Sequence, residues 1–361
     1  MPQKANTAVI CLSPHYGGME MDSISLARSL AEHVRIFFIV RHAAAIHHNY
    51  GPQAGSDNVD LRTIRFRSNF SFSIIFGVRK IITENNIKNV IFFGASELRS
   101  LYFAFLDRDI NLIIRHGTTK SHPKKDALHR LVYSKVAWHI AISKHLADNV
   151  AYIIPFGKKT RMKVIYPALR YLPGELPAAQ VRHPDIITLL LVARIAEGKG
   201  HIDAINACQI LHENGIPFRL LCVGEQDRNF AGKLETALSD KPYRAKIEFP
   251  GFSRNVSEYY SKADIFIYPS KGEGFGNSFA EALAHGLVCI AYNNTTFPEF
   301  RQAGFEFFMA ENCNIASLKS ALLEAIDYLH TRTTPIHGNI ELARQLFGAQ
   351  HETREFIELL D

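Results

Sequence analysis

The stretch Tyr268-Pro-Ser-Lys-Gly-Glu273-Gly-Phe-Gly-Asn-Ser-Phe-Ala-Glu281-Ala-Leu-Ala-His-Gly286 passes from one kind of local structure to another within a few residues. The run Ile265–Tyr268 that enters it is apolar, as a strand buried on both faces requires. Gly272, Gly274 and Gly276 then break regular structure. A helix is expected over Asn277–His285, with Asn277 or Ser278 as its N-cap. The free amides of that helix start lie beside Gly274 and Gly276, where no side chain blocks approach, and so suit phosphate or sugar oxygens. Glu273 precedes the turn and Glu281 falls in the first helical turns.

Strands and helices alternate on either side of this unit. Thr188–Val192, Phe218–Val223, Ile247–Phe249 and Val288–Ala291 read as further strands, with a helix at Ile202–Glu213. Upstream, strands are expected at Ala8–Leu12, Arg35–Val40, Val90–Phe93 and Leu112–Arg115, and helices at Met21–His33, Phe76–Glu84 and Ala127–Val136. Such alternation predicts α/β doubly wound sheets, and 361 residues suit two of them. The pattern lapses in the Pro/Gly-rich stretch after Tyr166. The expected organisation is therefore an N-terminal Rossmann-like domain over residues 1–170, a linker over 171–185 and a C-terminal Rossmann-like domain over 186–339. A last helix, about Ile340–Leu360, is expected to cross back to the first domain.

Composition narrows the class. Hydrophobic residues make up 47% and charged residues 21%, which suits a folded chain and not a disordered one. The first apolar run is too short for a signal-peptide core, and no stretch approaches the ~18 apolar residues that span a bilayer, so a cytoplasmic protein is expected, peripheral to the inner face of the plasma membrane at most. Cys11, Cys208, Cys222, Cys289 and Cys313 stand singly and read as buried thiols. The 17 histidines form no zinc-like spacing, so no metal is expected. The net charge of +6 is unevenly shared: residues 1–182 hold 25 Lys and Arg against 12 Asp and Glu. The first half is thus expected to meet something anionic.

Glu273 and Glu281, with seven residues between them that include Gly-Phe-Gly, resemble the signature of retaining glycosyltransferases of the GT-B fold, family 4 (group 1). The resemblance implies two Rossmann-like domains facing across a cleft. It implies that Glu273 lies against the donor sugar as a catalytic residue, that Glu281 hydrogen-bonds the ribose hydroxyls, and that Gly274, Phe275, Gly276 and Asn277 line the donor. Where the family has a hydrophobe and Pro after Gly-Phe-Gly, this chain has Asn277-Ser278. Read without the resemblance, Ser278-Phe-Ala-Glu281 also fits a capping box.

Three further pieces match the same family. Val192-Ala-Arg194-Ile-Ala-Glu-Gly-Lys199-Gly200 places two cations on a loop after a strand, able to neutralise the charge of a departing diphosphate. Ser13-Pro-His-Tyr-Gly17-Gly18 is a turn that follows the first strand and opens a helix, so Gly17 and Gly18 are expected to meet the donor's phosphate through backbone amides; it is not the Gly-x-Gly-x-x-Gly of dinucleotide-binding dehydrogenases. His116 ends a strand at the position the family often fills with His near the donor sugar, which implies a second catalytic residue beside Glu273, a neutral imidazole hydrogen-bonding a hydroxyl or phosphate. Asp107-Arg-Asp109 has the spacing of a metal pair but precedes its strand, away from the expected cleft. Lys120, Lys124, Lys125 and Arg130 form a basic run with Leu128, Leu131 and Val132 on one helical face, suited to an anionic acceptor or membrane surface and equally to a solvated face.

The expected activity is sugar transfer, with retention and without an essential metal or other cofactor, from a nucleotide-sugar donor to an anionic glycan or glycolipid, as in lipopolysaccharide or capsule-type synthesis. In the family the departing phosphate helps take the acceptor's proton, so no separate general base is required. A sugar-nucleotide epimerase or phosphorylase on the same scaffold is the alternative enzyme. A basic nucleic-acid-binding protein is the alternative from another class, but the chain lacks the recognition helix or Arg-rich stripe of such proteins, so no nucleic acid is expected as a partner.

Overall fold

Thr7–Cys11 is buried at all five positions, and its side chains divide by parity: Ala8 and Ile10 join one core cluster, Val9 and Cys11 the other. A strand covered on both faces is the central strand of an α/β sheet. The computed structural model describes residues 5–15, 17–50, 58–173, 185–331 and 336–360, and the chain divides into one unit of residues 1–168 with 349–361 and a second of residues 169–348.

The first unit carries β1 (Thr7–Cys11), β2 (Ile36–Arg41), β3 (Val59–Ile64), β4 (Asn89–Phe93), β5 (Asn111–His116), β6 (Val136–Ala141) and β7 (Arg161–Val164). They form a parallel sheet in the order β3-β2-β1-β4-β5-β6-β7. Of its helices, α1 (Gly18–Ala31) and α2 (Ala45–Tyr50) cover one face. The other is covered by α3 (Phe72–Glu84), α4 (Leu98–Ala104), α5 (Ala127–Tyr133) and α6 (Lys144–Ile153).

The second unit repeats the plan with β8 (Ile187–Val192), β9 (Phe218–Val223), β10 (Ile247–Gly251), β11 (Ile265–Tyr268), β12 (Val288–Tyr292) and β13 (Phe308–Ala310), parallel in the order β10-β9-β8-β11-β12-β13. Its helices are α7 (His201–Ala207), α8 (Gln209–Glu213), α9 (Ala231–Leu238), α10 (Ser257–Lys262), α11 (Asn277–Ala284), α12 (Phe297–Gln302), α13 (Ile315–Thr331) and α14 (His337–Phe347). A final helix, α15 (Ala349–Ile357), belongs to the first unit. This is the two-sheet α/β fold expected from the sequence.

Several boundaries differ from expectation. The final helix is two helices, broken at Gly348 where the backbone is extended, and only the part from Ala349 packs with the first unit. The helix expected over Ala127–Val136 stops at Tyr133, and Val136 opens β6. Strands β3 and β7 carry Asp60, Arg62, Arg161 and Lys163, which hid them, because edge strands are polar. The N-cap of α11 is Gly276, not Asn277 or Ser278. Cys313 is exposed, while the other four cysteines are buried as expected. Residues 174–184 of the expected linker lie outside the described residues.

Candidate active site

In an open parallel sheet, ligands bind beyond the carboxyl ends of the strands where the strand order reverses. In the second sheet that point lies between β8 and β11. The loop after β8 and the turn after β11 meet there backbone to backbone: the Lys271 amide donates to Gly198 O at 2.8 Å, and a Cβ added at Gly200 would lie 2.2 Å from Pro269 O. Gly200 is also left-handed, with φ of +81°, so only glycine satisfies both constraints. The two loops bring Lys199 to Glu273.

Glu273 is held by converging donors. Its Oε1 accepts from Lys199 Nζ at 2.8 Å, Tyr268 Oη at 2.8 Å and Ser270 Oγ at 2.7 Å. Its amide donates to Thr295 Oγ1 at 3.1 Å, and Thr295 donates to Asn294 Oδ1, whose amide group in turn donates to Ser270 O. Tyr268 is buried, and burial followed by the Glu273 charge pushes its phenol well above the ordinary value, so it remains a neutral donor. Among the described residues none donates to Glu273 Oε2. A carboxylate fixed through one oxygen, with a cation attached, can present the other to a ligand.

Glu281 does not act as a cap. With Gly276 as N-cap, Ser278 is inside the helix, and Glu281 Oε2 accepts from Tyr260 Oη at 3.0 Å. Burial pushes its carboxyl up to about 7, against the Tyr260 bond, the Tyr171 amide and the Arg170 charge. The first intrahelical bonds run from the Phe279 and Ala280 amides to Gly276 O, so the amides of Asn277 and Ser278 lie ahead of the ladder. Gly276, at φ of +86°, sets their direction.

Other expected donor residues fare differently. Arg194 is exposed and forms no ion pair among the described residues, whereas Lys199 is committed to Glu273. Asn277 is exposed and Gly274 half-buried. The Phe275 ring cannot line a donor as expected: it is buried edge-on against Phe300 and Phe347 at 5.2 and 5.1 Å. Sequence reading missed Tyr260, Tyr268, Ser270 and Thr295. The last could have been suspected, since it follows β12 at the same sheet edge.

In the first unit the Gly17 amide donates to Glu20 Oε2 at 2.8 Å, so one amide of that helix start is already used, while Gly18 is open around its Cα. His116 is buried at the end of β5. Its Nε2 lies 2.8 Å from His139 Nδ1, and its Nδ1 lies 3.5 Å from Lys120 Nζ. Burial first, then the Lys120 charge, holds both imidazoles neutral: His116 falls well below its ordinary value and His139 to about 3. Lys120 is not the exposed cation expected. Burial and the Lys124 charge lower it to about 8, and Asn149 brackets its backbone with bonds of 2.9 and 3.0 Å. Lys125 and Arg130 are exposed and Lys124 partly so, but the apolar face of their helix is split: Val132 is buried, Leu128 and Leu131 are not. Asp107 pairs with Arg79 at 2.6 Å. No cluster of three or more His, Cys, Asp or Glu among the described residues is placed to hold a metal ion, and no helix among them is long and apolar enough to cross a membrane.

Residues 175–333 match the family model described as Glycosyl transferases group 1. Over 145 residues the chain is 30% identical to the amylovoran biosynthesis glycosyltransferase AmsK of Erwinia amylovora, a match covering 38% of this chain and 35% of that protein. The chain thus spans about a third of that relative's length. Among solved structures, a glycosyltransferase from Rickettsia africae is similar with a TM-score of 0.83 at 17% identity, over 99% of this chain and 97% of that one. Anabaena Alr3699/HepE in complex with UDP-glucose is similar with a TM-score of 0.76 at 15% identity, over 98% of each chain. These likenesses show the GT-B fold.

Proposed function

We propose that this chain is a retaining family 4 glycosyltransferase that moves a sugar from a nucleoside diphosphate sugar to an anionic glycan or glycolipid, in bacterial lipopolysaccharide or capsule-type polysaccharide synthesis. The observation that carries the reading is Glu273, fixed by Lys199, Tyr268 and Ser270 at the reversal point of the second sheet, beside the amide start of α11. The names of AmsK and of the HepE complex support it, the first by polysaccharide synthesis and the second by its bound UDP-glucose.

In this reading Glu273 faces the donor sugar, and the Asn277 and Ser278 amides with Arg194 and Lys199 receive the diphosphate, where negative charge builds as the glycosidic bond breaks. Lys199 reaches the diphosphate while holding Glu273, so one cation serves both. Glu281 takes the ribose hydroxyls. In the first unit the turn at Gly17 and Gly18 receives an anion at its open Gly18 side, since the Gly17 amide is held by Glu20. His116, whose Nε2 is engaged by His139, offers a sugar hydroxyl or phosphate oxygen only its Nδ1, in exchange for Lys120. With two cations at the leaving group, no metal is required for charge neutralisation. Lys124, Lys125 and Arg130 receive an anionic acceptor at the inner face of the plasma membrane.

The test separates the two carboxylates. Glu273→Gln should lower turnover far more than affinity for the free nucleoside diphosphate, and Glu281→Gln should weaken that affinity. Calorimetry with UDP, GDP and ADP, alongside initial rates, reads both; equal affinity losses in the two variants would sink the assignment.

A further inference from the structure

Helix α3 is apolar on both sides. Ile74, Val78 and Ile82 are buried in the first unit's core, yet Phe72 and Phe76 are 70% and 65% exposed. A helix at the surface of a soluble domain normally turns polar residues outward. Here the outward rings gather instead: Phe72 stacks with Phe76 at 6.3 Å, and Phe70 meets Phe72 at 6.4 Å and Phe103 of α4 at 5.9 Å. With Ile75 and Arg79 they line an open groove of about 300 Å³. Nor are these rings isolated. Nine of the eleven exposed large hydrophobic residues among the described ones lie between Phe70 and Phe156, on the layer α3–α6 or the loops beside it. Scattered exposed apolar residues need no explanation, but one helical layer holding most of them does.

Charge says what covers it. Of the five Lys and Arg from Leu61 to Thr83, Arg62, Arg79 and Lys80 pair with Asp60, Asp107 and Glu84. Arg65 and Arg67, exposed just before Phe70, form no ion pair among the described residues. On α5 of the same layer, exposed Leu128 and Leu131 lie beside exposed Lys125 and Arg130. Aromatic side chains flanked by cations without an acidic partner match a surface that is apolar inside and anionic at its boundary. A second copy of the chain would have to bury Arg65 and Arg67 against a surface whose nearby acids Asp60 and Asp107 are already paired with Arg62 and Arg79.

We infer that the outer surface of the α3–α6 layer docks on an anionic lipid bilayer, with Phe70, Phe72, Phe76 and Phe103 inserting and Arg65 and Arg67 at the level of the lipid phosphates. The inference rests on the membrane location in the reading above but not on its sugar chemistry, and its test uses no sugar, so failure here leaves the roles of Glu273 and Glu281 standing.

The full chain is sedimented with vesicles of phosphatidylcholine alone and with added phosphatidylglycerol. The parent should bind the anionic vesicles preferentially and lose binding as salt is raised. The Phe70→Ser/Phe72→Ser/Phe76→Ser variant should bind at least about tenfold more weakly, with its melting temperature retained because these rings lie outside the core. A Phe72→Trp variant in a Trp138→Phe background should be quenched by brominated lipid, a signal that decides the matter even if the triple variant fails to fold. The inference is overturned if the parent ignores anionic vesicles, if the triple variant binds as the parent does, or if the indole fluorescence of the Phe72→Trp variant is unquenched. It is equally overturned if the substitutions abolish a dimer in ultracentrifugation while no vesicle binding is seen, since the rings then serve self-association.

Discussion

Glu281 combines 6% exposure with a carboxyl pushed up to about 7, largely by burial. The folded protein then holds a proton that the unfolded chain releases near the ordinary value of 4.5. Stability attributable to this group therefore falls as pH rises from about 4.5 to about 7 and stays lower above that. Glu281→Gln removes the effect, so above about pH 7.5 the variant should be more stable than the parent by on the order of 1–3 kcal/mol; urea unfolding at about pH 6 and about pH 8 reads the difference. If Glu281 accepts from ribose hydroxyls, nucleoside diphosphate affinity should rise in the parent over the same interval and stay flat in the variant. Both acids were legible in the sequence because a motif keeps them in register on one strand-turn-helix. Their partners were not: Lys199 comes from the loop after β8, Thr295 from the end of β12 and Tyr260 from α10. For the same reason Lys199 read as a diphosphate ligand alone, though its nearest anion is Glu273.

Phe279 is the largest of the buried side chains that fix α11, and with it the turn, to the sheet. Phe279 is fully buried, with Phe297 and Phe307 at 4.9 and 5.1 Å and the Tyr268 ring at 6.3 Å. Phe279→Ala should cost about 3–5 kcal/mol in chemical denaturation, and because Tyr268 holds Glu273, residual activity should fall even where the variant stays folded. Gly200 ties the loop after β8 to the same turn. Gly200→Ala must adopt a left-handed backbone and move Pro269, so a loss of about 2–4 kcal/mol is expected. A melting temperature unchanged from the parent would show that the loops separate without cost. Central strands were readable as continuous apolar runs, whereas β3 and β7 were not: an edge strand is covered less fully and carries charge, which erases the signal.

The first unit is closed by the far end of the chain. Arg115, 1% exposed in its side chain, donates through Nε to Asp22 at 2.7 Å and through Nη2 to Glu352 of α15 at 2.5 Å, with the Phe356 ring 5.3 Å away. Asn111 donates to Leu359 O at 2.7 Å. Glu352→Ala would leave the buried guanidinium short of one acid, and a loss of about 3–5 kcal/mol is expected; a loss below ~1 kcal/mol in urea unfolding would mean that α15 is only laid against the unit. The returning segment also changes the charge account. Residues 349–361 bring four acids and one Arg to the first unit, which then holds 24 Lys and Arg against 15 Asp and Glu. The basic character read from residues 1–182 survives in weaker form. By itself the sequence determined what is local: two series of buried strands, a glycine turn at the end of one of them, and two glutamates placed on either side of it, because periodicity, backbone freedom and spacing are properties of short segments. Only the tertiary structure decided that Phe275 is core and not ligand-facing, that Lys120 is drawn in beside His116, that α3 turns its phenylalanines outward, and that the chain's end rejoins its beginning at Gly348. Each of these depends on which distant segments share a face or a charge, and no window of sequence contains both partners.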